Sequence, residues 1–288
     1  MPHNRSYVGA SHSAPAGNAW PVAFFAICLL LLAGPAAAQD KDKDPNELAK
    51  QLSNPVAALI SVPFQLNYDD GFTPDGGGNR WTLNIQPVVP VSISDSWNVI
   101  SRTIVPLINQ NFAGPGNKET GLGDINESLF FSPKAPTASG WIIGAGPILL
   151  LPTGGEGFSS HQWGAGPTFV VLKQEKGWTY GMLANHIWSF AENSWNGNGN
   201  APYVSSTFLQ PFLSKLVGPG RTVTLNTEST YDWRGSQWTV PINLQVSQVL
   251  KLGTQLVSIA GGVRGYAVSP TNGPDWGLRL TVTLLYPK

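Results

Sequence analysis

From about residue 60 onward, apolar and polar residues alternate with period two, the signature of a half-buried strand. In 276–286, Trp276, Leu278, Leu280, Val282, Leu284 and Tyr286 share one face, and Gly277, Arg279, Thr281 and Thr283 share the other. In 81–91, Trp81, Leu83, Ile85 and Val89 oppose Thr82, Asn84 and Gln86; in 238–250, Trp238, Val240, Ile242, Leu244 and Val246 oppose Thr239, Asn243, Gln245 and Ser247. Residues 60–69 set Phe64, Leu66 and Tyr68 against Gln65, Asn67 and Asp69, and 222–232 set Val223, Leu225 and Thr227 against Thr224, Asn226 and Glu228. Strand character also marks 97–107, 123–132, 141–151, 163–173, 178–190, 203–213 and 255–267, which predicts twelve strands of roughly ten residues, the length of a tilted membrane strand. In 141–151, 163–173 and 178–190 the pattern does not assign the faces.

The ends of the segments carry a second pattern. Trp81, Trp97, Trp141, Trp163, Trp178, Trp238 and Trp276 stand at strand starts, and Tyr68, Phe190, Tyr231 and Tyr286 near strand ends. Aromatic rings gather at the lipid–water boundary. Connections after even-numbered strands are mostly short, such as QEKG and VGPG, and those after odd-numbered strands are mostly longer, such as PTGGEGFSSHQ. RGSQ, after the ninth segment, breaks this rule. Short turns on one side and long loops on the other characterise outer-membrane barrels. The predicted fold is therefore all-β, a twelve-stranded antiparallel transmembrane β-barrel with both ends of its sheet on the periplasmic side. Pro63, Pro87, Pro90, Pro106, Pro147, Pro167, Pro211 and Pro241 fall inside predicted strands. A proline cannot donate to a ladder and a closed barrel has no edge, so each must meet a bulge, a strand end or a gap.

Before the strands, 46–59 reads as the one helical stretch, with Asn46 as its cap and Pro55 interrupting it. Further back, 22–33 is an apolar run too short for a comfortable span, followed by Ala36 and Ala38 in an A-x-A pattern. This predicts a secretory signal over 1–38, an N-terminal periplasmic or plug segment over 39–59 and the barrel over 60–288. The single cysteine, Cys28, lies within the signal, so the exported part has no disulfide and no thiolate zinc site.

Composition narrows the classes. Gly (32) and Pro (24) are far above average for 288 residues, and charged residues, at 12%, are about half the usual share. That excludes a long helical bundle. Hydrophobic residues at 42% exclude a disordered chain, and a net charge of zero gives no basic excess for nucleic acid. In a barrel the polar face points inward. Arg102, Arg264, Arg279, Glu228, Asn84, Gln86, Asn226 and Gln245 are the candidate lumen residues, either lining a pore or pairing across and filling it.

Catalytic and metal chemistry find little support. After residue 38 only His161 and His186 remain. Ser159 and His161 have the i, i+2 spacing that shares a face, but in a glycine-rich loop; His186 and Ser189 fall on opposite faces of a strand. Nucleophilic catalysis needs both groups within hydrogen-bond reach, oriented by a third. Asp69 and Asp70 alone at a loop mouth make a thin calcium site. No enzyme activity, cofactor or metal is expected.

The segments QLSNPVAALISVPFQLNYDDGF, RWTLNIQPVVPVSISDSWNVISRTIVPLI, STFLQPF, QWTVPINLQVSQVLKLG and GPDWGLRLTVTLLYPK resemble a family of bacterial outer-membrane β-barrels loosely described as transporters and labelled after neuromedin U. That family is similar to the channels of the phenol meta-degradation pathway. The resemblance implies passive passage of small solutes, hydrophobic or aromatic ones among them, and an outer-membrane location. It also implies lipid, the outer-membrane insertion machinery and a small solute as partners. Asn54 and Pro55 resemble part of the N-P-A element of the hatch in long-chain fatty-acid channels, which implies a plug; Val56 departs from that element. A sealed structural barrel, a barrel lipid hydrolase and a soluble β protein are the alternatives.

Overall fold

A computed structural model describes residues 44–73, 76–112, 118–192 and 201–287. The predicted signal over 1–38 lies outside the described residues. One helix, α1 (Pro45–Leu52), precedes fifteen strand segments: β1 (Ile60–Phe72), β2 (Gly78–Ile85), β3 (Val88–Ser92), β4 (Trp97–Asn111), β5 (Lys118–Leu122), β6 (Ile125–Pro133), β7 (Trp141–Leu151), β8 (Gln162–Glu175), β9 (Trp178–Glu192), β10 (Ser205–Gly218), β11 (Arg221–Thr227), β12 (Ser229–Asp232), β13 (Gln237–Leu252), β14 (Gln255–Val268) and β15 (Trp276–Tyr286). β2 with β3, β5 with β6, and β11 with β12 are interrupted halves of single strands, so the sheet is a closed antiparallel barrel of twelve strands. β15 closes it against β1, from Ile60↔Tyr286 to Asp70↔Trp276. Short turns crowd one end, such as the β8–β9 hairpin. There Lys176 and Gly177 both take positive φ, 50° and 76°, as a two-residue turn that follows strand twist requires. Longer loops occupy the other end.

The outer wall is apolar. Val89, Phe131, Leu149, Phe169, Leu225, Leu244 and Val263 are exposed there, with Trp97, Trp163, Trp178, Trp238 and Trp276 near the rims. A contiguous apolar band between aromatic rims is what lipid requires of a barrel exterior. Glu127 is a charged exception: it shares a face with exposed Phe131 and accepts from Ser101 Oγ at 2.6 Å and Thr103 Oγ1 at 2.5 Å.

The prolines are placed by the three interruptions. Gln86 and Pro87 part β2 from β3, and Pro63 faces that gap, its carbonyl accepting from Gln86 N–H at 2.9 Å. Gly123 and Asp124 part β5 from β6, and Pro106 faces them, accepting from Gly123 N–H at 2.8 Å. A residue's N–H and C=O leave a strand on the same side. The missing N–H of Pro63 and of Pro106 therefore points at a gap. Glu228 parts β11 from β12 between Pro211 and Pro241, and Pro241 also adjoins a bulge. Pro90 stands where β3 runs past the start of β1. Pro147 and Pro167 face each other in register, each preceded by a glycine. A Cβ on Gly146 would come within 1.9 Å of the Leu129 carbonyl, and one on Gly166 within 1.7 Å of the His186 carbonyl. The neighbouring carbonyl, offered no proline N–H, leans over the glycine.

The helix is shorter than the sequence predicts. Asp44 caps it, accepting from Asn46 N–H at 2.9 Å, and Pro45 takes the first turn where no N–H is needed. Asn46 instead accepts from Gly220 N–H at 2.9 Å, which ties the helix to the β10–β11 turn. The helix ends at Ser53, ahead of Pro55. β5 was not expected, and β4 runs further than its pattern suggests, so the loop between them is shorter than the sequence implies.

Candidate functional site: the lumen

Residues 44–59 cross the turn end of the barrel from wall to wall. Leu48, Ala49, Ala57 and Leu59 pack on Val249 and Leu285 at one side. Val56 packs at the other against Ile100, Phe130, Val170, Leu172 and Leu183, inward residues of β4, β6, β8 and β9. Asn54 Oδ1 accepts from Val56 N–H at 3.0 Å and so turns the chain that delivers Val56. Gln174 Nε2 donates to the Lys50 carbonyl at 2.8 Å.

The interior has two unlike walls. β4 and β6 to β9 present buried aliphatic and aromatic side chains inward; Phe130, Ile100 and Leu172 are fully buried. The arc from β10 through β15 to β2 presents amides, hydroxyls and charges. Between the N-terminal segment and this polar arc lies a chamber of about 260 Å³ lined by Pro55, Gln65, Gln86, Arg102, Gln210, Asn226, Gln245 and Thr281 among others.

Above the chamber the charges form steps toward the loop end. Arg102, on β4, donates to Gln86 Oε1 at 3.1 Å. Next, Arg279 grips Glu228 in a two-pronged pair at 2.8 and 2.7 Å and donates from Nε to Asn67 Oδ1 at 2.7 Å. Glu228 reaches inward because it sits in the β11–β12 interruption. Then Arg264 pairs with Asp69 at 3.2 Å, whose Oδ1 also accepts from Tyr266 O–H at 2.9 Å. Last, Arg80 lies between the rings of Phe72 and Phe112, 5.0 and 4.9 Å from their centroids, and donates to Gln110 Oε1 at 3.1 Å. Four arginines thus meet three carboxylates along these steps, Glu228, Asp69 and, accepting from Gln110 Nε2 at 3.5 Å beside Arg80, Glu119, a small positive excess that a low-dielectric wall strengthens.

Each expected lumen residue faces the interior: Arg102, Gln86, Asn226 and Gln245 line the chamber, Arg264, Arg279 and Glu228 form the steps above it, and Asn84 faces inward opposite Gln65. Sequence reading missed Asp69, Tyr266 and Arg80 as members. Asp69 was legible, since it continues the inward series Gln65, Asn67. Asp69 and Asp70 do not form one acidic site: they alternate, and Asp70 accepts from Tyr68 O–H at 3.0 Å on the outer face. Among the described residues no three potential ligands gather around a metal position.

The β7–β8 loop turns inward at the loop end. Asp124, in the β5–β6 interruption, accepts from Gly154 N–H and Ser159 Oγ through one oxygen and from Ser160 N–H and Oγ through the other, at 2.6 to 3.0 Å. Phe158 lies on Gly121, where a Cβ would approach its ring to 2.3 Å. The Ser159 hydroxyl thus donates to Asp124, and its oxygen accepts from the backbone N–H of His161 at 2.9 Å. His186 is on the outer wall instead, with Nδ1 2.7 Å from Thr207 Oγ1, Nε2 3.5 Å from Ser205 Oγ, and its ring 4.0 Å from that of Trp188.

No family model matches the chain, and no curated protein matches it in sequence. Solved structures do. An outer membrane channel from Pseudomonas putida F1 superposes with a TM-score of 0.61 at 14% identity, over 88% of this chain and 100% of that one. The NanC porin gives 0.47 at 10% identity over 80% and 99%, and outer membrane phospholipase A from Escherichia coli 0.48 at 10% over 87% and 99%. The first likeness shows a shared fold, a closed antiparallel β-barrel.

Proposed function

We propose that this chain is an outer-membrane channel for passive passage of small solutes, with residues 44–59 as a plug across its periplasmic mouth. The observation that carries the reading is the two-walled lumen. Arg279 and Arg264 are paired, as a filled interior would also have them, but Arg102 beside the polar chamber has no carboxylate in contact, and a buried charge is costly without a use or a partner. Asn54 and Pro55 belong to the plug, Asn54 as the turn that seats Val56 and Pro55 in the chamber wall. Insertion by the outer-membrane assembly machinery, guided by the final strand ending in Tyr286, is part of the same reading. The packed half, with Phe130 and Leu172 fully buried, favours the alternative of a sealed structural barrel.

Liposome swelling separates the two. Vesicles carrying the full refolded chain are expected to admit sugars and small acids faster than empty vesicles. Vesicles that stay as tight as empty ones, with heat-modifiable gel mobility verifying the barrel, would favour the sealed reading.

A further inference from the structure

Among the described residues, Arg264 and Arg279 have carboxylates within ion-pair distance, and Arg102 has none. Glu228, the nearest acid along the steps, has both oxygens taken by Arg279. Arg102 is the one charged residue of the chamber wall, and a neutral amide, Gln86, holds one of its nitrogens. A guanidinium presents five donors in a planar fork that matches a carboxylate. Such a group, half-buried and with no carboxylate in ion-pair contact, is set for an anionic ligand.

Two further features shape that ligand. Asn226 Oδ1, on the chamber wall, and both amide atoms of Asn243 beside it are buried without a protein partner. Buried polar atoms are ordinarily satisfied, so this wall accommodates polar groups brought in from outside the chain. The chamber also carries apolar surface: Phe212 stands cross-strand from Asn226 and Val88 cross-strand from Arg102, with Pro63 and Leu59 on the same lining. The chamber therefore has a cationic point, with polar and apolar patches beside it.

We infer that the chamber is a binding site for a small organic carboxylate with an apolar body, anchored by Arg102 and oriented by Gln86. The inference deepens the channel reading and rests on it for the ligand's access. The carboxylate takes the free prongs of Arg102, and the apolar body lies on Phe212 and Val88. The paired steps of Arg279 and Arg264, and then Arg80, continue the cationic track to the loop end.

Titration calorimetry of the full chain in non-ionic detergent tests this with sodium benzoate, and with benzyl alcohol as a neutral molecule of similar shape. Benzoate is expected to bind at least about tenfold more tightly, in line with one charge-assisted contact. Arg102→Gln is expected to erase that preference, and Arg102→Lys, which keeps the charge but not the fork, to retain part of it. Heat-modifiable mobility verifies the barrel of each variant. Equal affinity for benzoate and benzyl alcohol, or undiminished benzoate affinity in Arg102→Gln, would overturn the site. The swelling assay distinguishes the two readings: solute entry without benzoate preference sinks the site and keeps the channel, whereas benzoate binding in tight vesicles keeps the site and sinks the channel.

Discussion

Arg279 and Glu228 show how much of the interior depends on single residues. Arg279 is 5% exposed, yet three of its nitrogens have acceptors, two on Glu228 and one on Asn67. Removing one partner of a buried pair leaves an uncompensated charge, at a cost of roughly 3–5 kcal/mol. Glu228→Gln is expected to lower barrel stability by about that amount, and the double variant Glu228→Gln, Arg279→Met by clearly less than the sum of its singles. Urea unfolding midpoints followed by tryptophan fluorescence check both; additive losses would mean that the pair is not coupled. The lumen residues were legible because parity along a strand places every second residue inward, so that Asn226 and Gln245 follow once one polar position is fixed. Asp69 was legible by the same parity, as the next member of the series Gln65 and Asn67, but beside Asp70 it reads as half of a pair of acids at a loop mouth, although strand geometry sends the two to opposite faces. Arg80 was hidden because the alternation becomes visible only from Trp81.

At the scale of elements, the interruptions explain what the pattern left open. The prolines broke the predicted strands because the strands are indeed broken, and Pro63, Pro106, Pro211 and Pro241 mark those breaks from the strands alongside. The faces of β7, β8 and β9 were unreadable for another reason: the outer wall is apolar on one side and the interior core on the other, so both faces are apolar and alternation disappears. The glycines of the two Gly-Pro pairs carry a sharp prediction. Gly146→Ala and Gly166→Ala each drive a methyl group into a backbone carbonyl and are expected to cost roughly 1–3 kcal/mol. Gly261→Ala, where a Cβ meets nothing within 4 Å, is expected to be neutral or slightly stabilising in the same urea series. Asp124 governs a third element. Asp124→Ala removes the acceptor of four hydrogen bonds and is expected to release the β7–β8 loop, seen as faster proteolytic nicking within 152–161 while the barrel keeps its heat-modifiable mobility.

At the scale of the whole molecule, the barrel combines an outward apolar band, a half-filled core and a charged polar interior, with its own N-terminal segment packed against the inner wall at the turn end. The band and the strand count follow from period-two alternation and rim tryptophans. The position of residues 44–59 does not, because they show no pattern that says which side of the wall they occupy; only the packing of Val56 against Phe130 and Leu172 places them. The claim that this segment closes a conducting lumen is met most directly by planar-bilayer conductance of the full chain beside a chain lacking residues 39–59, each verified as a barrel. The account predicts low or intermittent current from the full chain and a larger, steady current after the deletion. Silence from both chains would contradict it.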